Sequence, residues 1–221
     1  TLTSASDEKV YDGTALTNDE VTVGGDEFAT GEGATYNVTG SQTDAGESAN
    51  AFTYTLNEGT KAANYDITTT NGTLKVTPVT DKVTVTITEN SGSEKYDGTE
   101  KTVTGYTVKS ISNPLYKEAD FSFKGDATVK GTDAGTYNME LKPADFSNTS
   151  KNFTNVEFVI EDGTLVISKR AVTLTSADDE KVYDGTALTN STVTVTEDGW
   201  AEGEGATYDV TGSQTEAGSS A

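Results

Sequence analysis

The chain has 221 residues, of which 36 are acidic and 15 basic, and its formal net charge of −21 repels nucleic acid and anionic membrane surfaces. It contains no Cys and no His, which excludes disulfides, a thiolate nucleophile, a zinc site and the commonest general base. Only 33% of its residues are hydrophobic, no apolar run is long enough to cross a bilayer, and any cores must be small and separate.

Strands are read where β-branched residues run together or alternate with polar ones. In chain order the pattern predicts strands at 2–5, 21–23, 35–39, 52–56, 65–69 and 73–77. Asn71-Gly72 lies between the last two and predicts a type I′ hairpin; Asp162-Gly163 holds the same place later. Helical periodicity is sustained nowhere over a dozen residues, and 57–63 is the best candidate for a short helix or 3₁₀ turn. Six or seven short strands per unit predict an all-β chain of tandem Ig-like β-sandwiches. A β-grasp unit is the alternative, and it needs a helix that the pattern does not supply.

Internal repetition organises the whole chain. Lys9-Val10-Tyr11-Asp12-Gly13-Thr14 returns unchanged at Lys181-Val182-Tyr183-Asp184-Gly185-Thr186, and Lys95-Tyr96-Asp97-Gly98-Thr99 lies between them. Thr43-Asp44-Ala45-Gly46 recurs as Thr132-Asp133-Ala134-Gly135 and Thr215-Glu216-Ala217-Gly218. Asn71-Gly72-Thr73-Leu74-Lys75-Val76 pairs with Asp162-Gly163-Thr164-Leu165-Val166-Ile167. The tyrosines of the signature are roughly 86 residues apart, a domain's length. Three repeats follow: 1–79, a divergent 80–170, and 171–221, a near-copy of the start of the first. The order is A-B-A, and the linkers near 78–81 and 169–172 are short, so a stiff succession of domains is expected. The third repeat has no counterpart of 64–67 or 73–76. With no initiating Met and no signal peptide, the chain reads as a piece of something longer.

The Lys-Val-Tyr-Asp-Gly-Thr start, the Ala-Gly midpoint, the Asn64-Tyr65 pair and the Gly-Thr-Leu-Lys-Val end resemble the YDG and MBG-type repeats of bacterial surface proteins. In the second repeat Asn152-Phe153 stands where Asn-Tyr is expected. The resemblance implies a secreted or wall-anchored, adhesin-like parent and a stalk-like role. It carries over no catalytic residue and no binding site.

Each candidate site has a structural reading beside a functional one. Tyr11-Asp12-Gly13, Tyr96-Asp97-Gly98 and Tyr183-Asp184-Gly185 could set an aromatic ring and a carboxylate against a sugar. As a turn, the Asp bonds the backbone two residues on, the Gly takes positive φ, and the Tyr ring packs inward. Lys9 with Asn64, and Lys95 with Asn152, are candidate isopeptide pairs, a chemistry that needs a buried lysine beside a buried carboxylate. Asp7-Glu8 and Asp178-Asp179-Glu180 are where Ca2+ would bridge domains, although no EF-hand spacing occurs. Phe28 and Trp200 correspond, as do Tyr36 and Tyr208, and both pairs read as core.

No nucleophile elbow, P-loop or metal box occurs, and every candidate repeats, whereas catalytic sites are single. The expectation is a non-enzymatic stalk at the cell surface or wall that projects a binding domain. Its partners are the neighbouring repeats, with no nucleic acid and no membrane insertion. The alternatives are a self-assembling filament or surface layer made from copies of the chain, and repeats that themselves bind a host glycan or protein.

Overall fold

The computed structural model of the chain describes residues 1–220. The described residues are nearly all β, with three short 3₁₀ turns and no α-helix, which sets the sandwich-like reading over the β-grasp. The chain forms two compact units, and their border cuts through the second repeat. One unit joins 1–87 with 108–125 and 142–160. The other joins 88–107 with 126–141 and 161–221.

The first repeat shows the plan most completely. Its opening segment contributes to two sheets. Leu2–Ser4 pairs antiparallel with Val21–Val23 and parallel with Thr69–Thr70. Asp7–Val10 then pairs parallel with Gly72–Thr77, whose other edge takes Gly46–Asn50 antiparallel. Ala34–Val38 pairs with Phe52–Leu56. Gly72–Thr77 is the central strand of its sheet, and its alternation buries Leu74 and Val76 against Leu16 and the half-buried Tyr11.

Three sequence readings need correction here. Asn71-Gly72 is not a hairpin turn, because Thr69–Thr70 and Gly72–Thr77 belong to different sheets. Gly72 is required for close approach instead: a Cβ there would lie 2.4 Å from the carbonyl oxygens of Ser4 and Ala5. The predicted strand at 65–69 is extended chain, with only Thr69–Thr70 paired. Asp7-Glu8, read as a place where Ca2+ would bridge domains, opens a strand, Asp7–Val10, with Lys75 beside Glu8 at 3.4 Å. The predicted short turn at 57–63 is a 3₁₀ turn at Ala62–Asn64.

Opening and closing strands thus change sheets side by side. In the first repeat Ser4 fastens this crossing: its hydroxyl donates to Asn50 O (2.5 Å) and accepts from Gly72 N–H (2.9 Å). In the second repeat Glu89 stands in the same place. It is 2% exposed, and its carboxylate accepts from the N–H groups of Leu141 (2.5 Å) and Gly163 (2.7 Å). Gly163 is again a close-approach glycine, 2.4 Å from Asn90 O were it to carry a Cβ.

The second repeat divides its strands between the units. Val83–Glu89, flanked by Tyr106–Ile111 and Val156–Glu161, crosses the border and buries Val83, Val85 and Ile87 completely. In the first unit Phe121–Phe123 pairs with Phe146–Asn148, and Phe121, Phe146 and Phe158 pack ring on ring. In the second unit Thr164–Ser168 lies between Gly92–Lys95 (parallel) and Gly135–Asn138 (antiparallel). Lys101–Thr104 pairs there with Thr128–Gly131.

The third repeat keeps the pair Val172–Ser176 with Val193–Glu197 and the bridge Leu188–Gln214, which copies Leu16–Gln42. Residues 179–182, which match Asp7–Val10, are unpaired among the described residues, and Val182 is 89% exposed.

Candidate functional site at the joints between repeats

The three signature turns share one geometry. Asp12, Asp97 and Asp184 each accept from the backbone N–H and the hydroxyl of the threonine two residues on. Gly13, Gly98 and Gly185 sit at φ of 81°, 83° and 75°, the left-handed region that glycine adopts without steric cost. A lysine closes each turn: Lys9 on Asp12 (2.7 Å), Lys181 on Asp184 (2.9 Å) and Lys101 on Asp97 (2.5 Å). These ammonium bonds, aided by the threonine, hold all three carboxyls far below the usual carboxylate range.

The lysine differs in origin, and that decides where the turn faces. In the first and third repeats it precedes the signature. In the second it comes from Lys101, which occupies the position of Leu16 and Leu188. Glu94 stands where the other repeats have Lys9 and Lys181, and Lys95, in the place of Val10 and Val182, reaches Asp198 in the third repeat, at 2.8 Å from both carboxylate oxygens.

Within the first unit, the signature of the first repeat packs onto the second. Phe153 meets the Tyr11 ring edge-on, with centroids 5.7 Å apart, and meets Tyr116 at 5.1 Å. A Cβ on Gly13 would approach the Leu115 side chain to 3.2 Å. The midpoint turn joins in: Ala45 N–H donates to Asn152 Oδ1 (2.7 Å), and Asn152 Nδ2 donates to Asp44 (3.1 Å). The linker is tied down as well, since Val79 N–H donates to Asn152 O and Thr154 N–H donates to Val79 O. Tyr116 is 1% exposed, and burial, with Asp120 nearby, pushes its phenol up to about 12.

Within the second unit, the signature of the second repeat packs onto the third with different chemistry. The Tyr96 hydroxyl donates to Glu204, which raises the phenol's pKa. Gly98 faces Ala201. Arg170, in the linker, donates to Gly199 O (2.7 Å) and Asp198 O (2.5 Å) and so holds the loop that carries these carboxylates. A cleft remains here between Tyr96, Ala134, Lys169, Arg170, Trp200 and Glu204.

That loop, 196–205, has a near-copy at 24–33 in the first repeat. Gly25, Glu27 and Gly31 have positive φ in one, and Glu197, Gly199 and Gly203 in the other. The backbone path is kept although the glycines are placed differently, which leaves Glu27 and Glu197 in the left-handed region. In the first repeat Glu32 accepts from Tyr65 of the same repeat, and Phe28 packs on that ring at 5.2 Å. Trp200, expected in a core, is 36% exposed, and its indole N–H donates to the Tyr208 hydroxyl.

The sequence-derived site residues therefore meet other partners than those first read. Tyr11 and Tyr96 pack across a joint and not only into their own repeat. Lys9 is bound to Asp12 and Thr14, while Asn64 ends the 3₁₀ turn through a backbone bond to Lys61 O. Lys95 is bound to Asp198, and Asn152 to Asp44 and Ala45. The buried carboxylate, Glu89, serves two backbone N–H groups. Among the described residues no three carboxylates come together as a cation site.

The sequence did not single out Glu89, Leu115, Tyr116, Asp198 or Glu204. Glu89 had a signal: it continues the inward phase of Val83, Val85 and Ile87.

A model of the MBG domain family matches residues 82–169, within the second repeat. Such domains occur in bacterial surface proteins. No curated protein and no solved structure compared with the chain matches it.

Proposed function

We propose that this chain, which carries YDG/MBG-type repeats, is a length of stalk in an extracellular bacterial adhesin, holding a binding domain away from the cell. One observation carries the reading. The most strongly repeated residues, the Tyr-Asp-Gly turn and the midpoint turn, are used to fasten one repeat to the next. Residues so used are unavailable to a ligand, and a joint with packed rings and a hydrogen-bonded linker resists bending. The proposed role is mechanical, and the support is that the signature turns, the midpoint turn of the first repeat and Glu89 each have a packing or hydrogen-bonding partner.

Electron microscopy of chains carrying increasing numbers of complete repeats tests this. Isolated particles that lengthen by a fixed increment per repeat are expected. Compact particles of unchanged length would count against a stalk.

A further inference from the structure

The two joints use different surfaces, and the first of them recurs on the third repeat. The trailing face of a repeat consists of its signature turn and its midpoint turn. On the first repeat this face is apolar and amide-bonding: the lysine is closed onto its own turn, and Tyr11, Gly13 and Asp44-Ala45 receive Phe153, Leu115 and Asn152. On the second repeat it is cationic: Lys101 takes over Asp97, and Lys95 projects to a loop bearing Asp198 and Glu204.

The third repeat repeats the first face. Lys9 to Thr17 and Lys181 to Thr189 are identical in sequence, Lys181 is closed onto Asp184, and Glu216-Ala217 stands for Asp44-Ala45. Tyr183 on this face is 59% exposed, whereas Tyr11 is half-buried.

We propose that this face of the third repeat is a docking surface for the leading end of a repeat of the second type, one presenting a Leu-Tyr loop and an Asn-Phe pair, and that it rejects a repeat of the first type. The physical basis is charge and shape. A leading loop of the first type carries Asp26 and Glu32, the counterparts of Asp198 and Glu204. Against the third repeat these carboxylates would find Lys181 already engaged and Glu216 nearby, a like-charge contact with no free cation. A leading end of the second type brings Lys151, 3.8 Å from Asp44 in the first joint, in place of those carboxylates, and offers the ring and the amide that fill the Tyr11 face. The residue just before the signature tyrosine sets the choice: Val10 and Val182 present no charge, whereas Lys95 in the same place presents a cation to the neighbouring carboxylates. The A-B-A order is thereby written into the joints.

The inference rests on the stalk reading in taking repeats to follow one another, but its test is separate from length per repeat. The full chain is extended by a copy of residues 50–79, which the repeat register places after Ala221, and, in a second version, by a copy of 50–170. Acetylation of Tyr183 by N-acetylimidazole is followed by peptide mass spectrometry, with Tyr11 in the same molecule as the reference for an occupied joint.

At least fivefold slower acetylation of Tyr183 is expected in the longer chain than in the shorter one. Phe→Asp at the appended copy of Phe153 should restore the fast rate. Appending 50–79 followed by a copy of 1–79 should leave Tyr183 fast. Equal protection by 50–79 alone would show that the third repeat's own completed core covers the tyrosine. Equal protection by either kind of neighbour would show that the face does not choose. Either result, or no protection at all, overturns the proposal.

Discussion

In the first repeat, Lys9 bonds the aspartate of its own signature turn. In the second, Lys101 does so, and Lys95 bonds Asp198 of the third repeat. The turns themselves superimpose in hydrogen bonding and in glycine φ, so the difference lies wholly in which lysine closes them. Three positions account for it: Glu94 replaces Lys9, Lys101 at the place of Leu16 closes the turn instead, and Lys95 stands at the place of Val10. Leu16 is 8% exposed and contributes to a core with Leu74 and Val76, whereas Lys101 lies on a strand edge within reach of Asp97. A repeated motif can thus keep its local fold while its outward chemistry changes from ring packing to ion pairing.

The largest expected effect comes from breaking the apolar joint. Phe153→Ala removes a 2%-exposed ring that touches both Tyr11 and Tyr116, and should cost about 3–5 kcal/mol in denaturant unfolding. Glu204→Gln, at the polar joint, should move the midpoint far less, because exposed polar contacts contribute little. Comparable losses from the two substitutions would erase the distinction between the joints.

The sheet crossings sharpen the comparison next. Glu89→Ala strands two buried N–H groups and should cost about 3 kcal/mol, while Ser4→Ala at the matching place should cost about 1.5 kcal/mol. Urea midpoints of the two variants give the ratio.

Tyr116 supplies a pH test confined to the apolar joint. Its phenol titrates near 12 in the folded chain against about 10 when unfolded, so the folded state holds the proton longer. The associated stability is fully present below pH 10 and is lost as pH rises from there towards 12. Stability measured from pH 9 to 12 should fall in this window, and Tyr116→Phe should flatten that part of the curve.

The smallest effect is expected from Lys95→Val, which gives the second repeat the residue of the first at this place and removes a partly exposed ion pair, so the loss of stability in urea should stay below about 1 kcal/mol. A loss comparable to that of Phe153→Ala would show that the polar joint is not the weaker one.

How much of this was legible beforehand varies by element. The runs at 21–23, 52–56 and 73–77 were readable because β-branched alternation marks a half-buried pleat, and they are strands as read. The turn role of Asp12 and Gly13 was readable because each residue has a local reason to be there. Asp7–Val10 was not, since a polar strand is stabilised by its ladder with Gly72–Thr77 and carries no apolar period. Asn71-Gly72 misled because glycine answers two needs, positive φ and close approach, and only the neighbouring carbonyls of Ser4 and Ala5 distinguish them. The joints were invisible for a similar reason: Tyr11 and Phe153 are far apart in sequence, and nothing local to either announces the other.

The sequence by itself determined the all-β class, the repeat length, the A-B-A order and the geometry of each signature turn, because these rest on local periodicity and on residues within a few positions of one another. Tertiary structure alone decided which sheet each strand enters, which carboxylate is buried, and that Tyr11 and Tyr96 face the next repeat. Those outcomes depend on contacts between residues distant in the chain, whose partners are chosen by packing and charge once the strands are already formed.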